Sequence, residues 1–209
     1  ASFGGGGLNT FGGGLYQIEN TLLAGNVAGV VDANCGCTGG SCQVADYFSS
    51  DGYNLEDFDT CALDDTTDLV DTDPMLAAVA DNGGPFESYA LMVGSPAIDG
   101  GAPACSATDN RGAVRPADGD GDGTASCDIG AFELAQAELD LDGDGFCVGL
   151  DIDGVAVCAD GSSPGDCDDA DTTAFPGNPE VCDGIDNDCA NGADDGLTFE
   201  DWYLDSDLD

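Results

Sequence analysis

Apolar residues in this chain come in short runs that stop at Gly, Asn or Asp. Near the start, Leu15 to Ile18, Leu22 to Ala24 and Val27 to Val31 are divided by Asn20, Gly25 and Asn26. Further runs lie at "GYNL" (52–55), "DPML" (73–76), "SYALM" (88–92) and "DIGAFE" (128–133). Each has the length of a short strand, bounded by residues that favour turns. No stretch keeps a 3.6-residue apolar period over about 12 residues, so no substantial helix is expected. The pattern predicts a mainly β fold. Many short strands with Gly and Asn corners suit either a sandwich or a parallel β-solenoid, and periodicity alone does not separate the two.

Charge divides the chain. Its 209 residues include 43 Asp plus Glu, two Arg, no Lys and no His, a formal net charge of −41. Like charges at this density oppose compaction, so a folded state needs something to offset them. Nucleic acid is disfavoured as a partner, because no basic patch can neutralise phosphate. No apolar run reaches the length of about 18 residues needed to span a bilayer. Residues 1–135 carry 21 of the acids and both arginines, whereas 136–209 carry 22 and no base. The shift at "LAQAE" (134–138) predicts a boundary between two domains, 1–135 and 136–209. No signal peptide is evident, and the abrupt start "ASFGGGG" reads as a processed or excised segment.

Eleven cysteines in so short a chain predict disulfides and an extracellular or cell-surface location. Zinc is the competing use. The spacings of Cys35, Cys37 and Cys42, or of Cys182 and Cys189, are not paired C-x2-C, and no His assists. The expected bridges are Cys105–Cys127, Cys147–Cys158 and Cys182–Cys189, with Cys167 as the odd thiol. Two further bonds are expected among Cys35, Cys37, Cys42 and Cys61.

The ordered strings "NTLLAGN", "SSDGYNL", "DTDPML", "ADNGGPFESYAL", "GSPAIDGG", "TDNRGAVRP" and "CDIGAFE" run from about residue 10 to 134. Together they resemble the terminal part of secreted right-handed parallel β-helix proteins of the choice-of-anchor type, found on bacterial and archaeal surfaces. The resemblance implies terminal coils closed by a capping segment. The sequence departs from that family before "GGGLY", where such proteins have many more coils. Arg111 and Arg115 lie in "DNRGAVRP", amid the motifs that hold Asp99, Asp109, Asp128 and Glu133. Some β-helix lyases use a basic residue to abstract a proton. The favoured reading is that both guanidinium groups clamp carboxylates and close the cap.

In the acidic part, "DLDGDGF" sets Asp140, Asp142 and Asp144 at positions 1, 3 and 5 of a calcium loop, with Gly145 at the sharp turn. Phe146 would give its carbonyl at 7, and Asp151 falls at 12, with Asp153 close behind. "GDCDDAD" supplies Asp166, Asp168, Asp169 and Asp171. "PEVCDGIDNDCANGADD" supplies Glu180, Asp186, Asp188, Asp194 and Asp195. "YLDSDLD" restarts the first motif 65 residues on, with Asp205, Asp207 and Asp209. A weaker candidate is "DGDGDGTASCD", with Asp118, Asp120 and Asp122. Oxygen ligands at alternate positions wrap a hard cation, so several Ca2+ ions are expected.

Residues 138–209 resemble the secreted "putative metal-binding motif" domains and are akin to thrombospondin type 3 calcium repeats. The resemblance implies an irregular domain held by disulfides and calcium. One relative of that family is associated with copper, but this chain lacks the nitrogen ligands copper prefers.

No catalytic set is present: there is no His for a Ser–His or Cys–His pair and no phosphate-binding glycine loop. The expected function is an extracellular calcium-binding structural or adhesive protein of a surface filament, stalk or layer, with a glycan or surface contact. The alternative is the end of a polysaccharide-active β-helix enzyme or lectin. An open strand ladder at Ala1 and a half loop at Asp205 to Asp209 leave two alternatives, a fragment of a longer chain or copies joined head to tail in a filament.

Overall fold

Parallel pairing between segments far apart in sequence sets the architecture of the first half. The computed structural model describes residues 8–10, 15–28, 31–32, 34–37, 43–152, 155–159 and 162–197. Strand β1 (Leu8–Thr10) leads to β2 (Tyr16–Ile18), β3 (Leu22–Leu23), β4 (Val27–Ala28), β5 (Val31–Asp32), β6 (Cys35–Cys37), β7 (Phe48–Ser50) and β8 (Leu55–Glu56). β1 pairs in parallel with β6, β2 with β7 and β3 with β8, with Leu8 opposite Cys35, Tyr16 opposite Phe48 and Leu22 opposite Leu55. Leu55 then bridges in parallel to Leu69. β4 and β5 form a small antiparallel pair. Among the described residues the molecule is mainly short strands and coil, its helix limited to two 3-10 turns, Val44–Asp46 and Gln136–Glu138. These pairs do not amount to a closed β-helix.

Residues 57–135 turn more than they extend. The runs "DPML" and "SYALM", predicted as strands, meet at the isolated antiparallel bridge Leu76–Leu91, with Ala80, beyond the first run, bridging to Ser88. "DIGAFE" is not a strand. Gly130 takes φ +105°, a conformation that glycine tolerates and that breaks extension. The acids on either side are tied to neighbouring backbone instead, Asp128 accepting from the Leu134 amide and Glu133 from the Asp128 amide. Ile129, Phe132 and Leu134 are buried with Leu55, Leu91, Ala97 and Leu139 in one cluster. A smaller cluster joins Leu23, Phe48 and the Cys35–Cys61 disulfide.

Both arginines lie in this stretch, residues 57–135. Arg111 donates from Nε to Asp109 (2.8 Å) and from Nη1 to Glu138 (2.6 Å), all three side chains being fully buried, and its guanidinium stacks on Phe132. Arg115 Nε lies 2.7 Å from Glu133, and its other nitrogens donate to the carbonyls of Asp128 and Gly130. Asp99 and Asp128, expected near the clamp, take backbone amides rather than guanidinium.

The last part adds β9 (Phe146–Cys147), β10 (Leu150–Ile152), β11 (Val155–Val157) and β12 (Ser163–Pro164). β10 and β11 form a hairpin, and β12 returns parallel to β9. Cys147–Cys158 closes this unit and Cys105–Cys127 staples the arginine-bearing stretch before it; both bridges are as expected. The third expectation is overturned: Cys189 pairs with Cys167, and Cys182 is free and exposed. The cause is packing of the "NDC" turn. Asn187 is buried, donating to the Thr173 carbonyl while its own carbonyl accepts from Phe175, which turns Cys189 toward 167 rather than 182. Cys37 and Cys42, beyond the Cys35–Cys61 bridge, fall outside what can be described of side chains.

Candidate metal centre

The loop at 140–146 is wound by its own carboxylates. Asp140 accepts the amides of Gly143 (2.6 Å) and Gly145 (2.8 Å), Asp142 that of Asp144 and Asp144 that of Phe146. Gly145 needs its glycine, at φ +98°. One oxygen each of Asp140, Asp142 and Asp144 comes within 4.8 Å of the others. The ladder to β12 uses the carbonyls of Gly145 and Cys147, so that of Phe146 is not spent there. Asp151 has a place in β10 but no describable side chain, and Asp153, Asp205, Asp207 and Asp209 lie outside the described residues.

The second motif folds back over the first. The amides of Gly165 and Asp166 both donate to the Cys147 carbonyl, and Leu141 donates to Asp169 Oδ1 at 3.0 Å. Phe146 and Phe175 stack at 5.5 Å between centroids. Burial pushes the Asp169 carboxyl above its ordinary range against the opposing Leu141 hydrogen bond, and the charges of Asp166, Asp142 and Asp140 push it the same way. Asp168 is exposed, and Asp171 is spent on Thr173, whose hydroxyl and amide hold its carboxyl below the usual range.

A third group joins Glu180, Asp188 and Asp195 within the same 4.8 Å. Glu180 Oε1 accepts the Asp188 amide. Asp194, predicted as a ligand, instead accepts the amides of Asp183 and Gly184, and Asp186 accepts that of Ala190. At 118–124 the turn repeats the winding of 140–146: Asp118 accepts from Gly121 and Gly123, Asp120 from Asp122, and Asp122 from Thr124. Here Asp99, rather than Asp122, joins Asp118 and Asp120, a residue the spacing could not indicate. Glu138 was likewise missed, because its Arg111 partner is 27 positions away.

Four carboxylate oxygens in these motifs are buried with no hydrogen-bond donor: Asp142 Oδ2, Asp144 Oδ2, Asp166 Oδ2 and Glu180 Oε2. Leaving one such oxygen unsatisfied costs about 1–3 kcal/mol, more if charged. Four would use up much of a domain's stability of about 5–15 kcal/mol. A side-chain cation cannot answer them, since both arginines are paired with Asp109, Glu138 and Glu133 and the chain has no Lys or His. A bound cation can. The sulfurs of Cys167 and Cys189 lie beside Asp166 but are joined as a disulfide, so they supply no thiolate.

The fold and the site thus define an acidic, disulfide-bonded segment whose carboxylates are arranged to hold metal. Residues 166–195 match the family model described as "Putative metal-binding motif", which is named for copper binding. No curated protein and no solved structure matches the chain. Four disulfides among the described residues fit a non-cytoplasmic location. No helix among those residues is long and apolar enough to cross a membrane.

Proposed function

We propose that the protein is an extracellular calcium-binding structural component of a surface filament, stalk or layer, without catalytic activity. The four buried carboxylate oxygens that lack a donor carry this reading. The grouped carboxylates at 140–144 and at Glu180, Asp188 and Asp195 offer oxygen, the chemistry of a hard cation, and the free Cys182 is not among them. Calcium fits these donors better than copper, which favours imidazole and thiolate: the chain has no His, and eight described cysteines are tied in disulfides. In this reading Asp140, Asp142 and Asp144 hold one ion and Glu180, Asp188 and Asp195 another.

Titration with Ca2+ and with Cu2+ separates the two metals. Saturable calcium binding that copper does not displace is expected; tight copper binding with no calcium uptake would contradict it.

The first part, up to residue 134, is the end of a right-handed parallel β-helix in this proposal. Its support is the offset of the parallel pairs, 27 residues from Leu8 to Cys35, 32 from Tyr16 to Phe48 and 33 from Leu22 to Leu55, as successive coils would give. Copies associating head to tail would build the filament. Electron microscopy should then show fibres that form with calcium and disperse without it; a monodisperse monomer in millimolar calcium would refute the assembly.

A further inference from the structure

We infer that the 140–144 loop and the 166–169 segment share one cation, so that acids of the second motif complete the shell of the first. This rests on the calcium reading above and assigns the two motifs, read from sequence as separate sites, to one ion. The backbone brings them together twice. Asp166 is anchored by its amide to Cys147, three residues beyond Asp144, and Asp169 Oδ1 takes the amide of Leu141 between Asp140 and Asp142. Asp169 therefore sits against the loop by direct contact.

Burial gives the second, independent observation. Asp166 is only 6 % exposed, yet its Oδ2 has no donor, its Oδ1 being taken by the amide of Asp168. Within the 140–144 loop, Asp142 Oδ2 and Asp144 Oδ2 are orphaned in the same way. Enclosed carboxylates of two motifs joined at Leu141–Asp169 repel unless a positive charge lies among them. Six to eight oxygens surround a calcium ion, and four of the loop's six carboxylate oxygens already accept amides, so a neighbouring segment that brings buried oxygens helps to complete the requirement. An ion held this way is a cross-link. It ties the loop before β9 to the segment that Cys167–Cys189 fastens to the third motif.

Calcium stoichiometry, measured by titration of the disulfide-intact chain, tests this with Asp142→Asn, Asp166→Asn and the double variant. Each single change should remove the same one ion, and the double should remove no more than either. Full retention of binding in Asp166→Asn, or loss of two ions in the double variant, would overturn the shared site and leave calcium binding itself standing. A wild-type chain that takes up no calcium would overturn both. Should Asp166→Asn alter the disulfide map, Asp169→Asn against Asp142→Asn closes the same cycle with the same two outcomes.

Discussion

Asp128 is fully buried and has no cation on its carboxylate; its oxygens accept the amides of Asp99 and Leu134 instead. Burial pushes its pKa from 3.8 to about 7, and the charges of Glu133 and Asp99 add to the rise. The folded state therefore holds this proton more tightly than the unfolded chain. Stability from this group is fully present below about pH 4 and is lost as pH rises through about 7. The Asp128 carboxyl carbon, followed by NMR, should titrate near pH 7; a midpoint near 4 would contradict the environment described. Glu138 shows the opposite arrangement. Burial raises its carboxyl, but Arg111 answers with a hydrogen bond and an opposite charge, so the acid has its cation. The contrast sorts buried acids into those met by arginine, those met by amides, and the metal-motif oxygens met by neither.

At the scale of elements, one small residue lets the first strands pack against the segment around Cys127 and Asp128. A Cβ on Gly101 would lie 2.5 Å from Asn20 Oδ1 and 2.6 Å from the carbonyls of Cys127 and Asp128. Those groups are fixed, since Asn20 donates to the Asp128 carbonyl and accepts from Ala102. Gly101→Ala should destabilise by about 1–3 kcal/mol through overpacking, read as a lowered midpoint in denaturant; an unchanged midpoint would show that the junction yields. Such contacts were not legible in the sequence. What was legible followed local rules: the short strands near the start, the loop winding at Asp140, and the bridges Cys105–Cys127 and Cys147–Cys158. The misreading of Cys182 came from applying a local rule where Asn187 and Thr173, 14 residues apart, decide the direction of the turn. "DIGAFE" failed for a similar reason, since buried acids held by amides and a positive-φ glycine overrode its apolar spacing.

For the whole molecule the central question is what offsets a charge of −41, above all in the acidic part, which brings 22 acids and no base of its own and where apolar burial is sparse. Leu139, Cys147 and Ala174 are its buried apolar residues among those described, too few to replace a core. In this account calcium and the two disulfides Cys147–Cys158 and Cys167–Cys189 hold that part together, and the ligands are organised by the same ions they bind. The upstream half holds most of one apolar cluster, which Leu139 and Ala159 join from the acidic part, together with the pairs Arg111–Asp109 and Arg115–Glu133, so in this account its packing survives without metal. Hydrogen exchange of the intact chain, in calcium and in excess chelator, tests this most directly. Amides at 141–146 and 166–190 should lose protection when calcium is withdrawn, while those at 88–134 keep theirs. Equal protection of both segments with and without calcium would contradict the account.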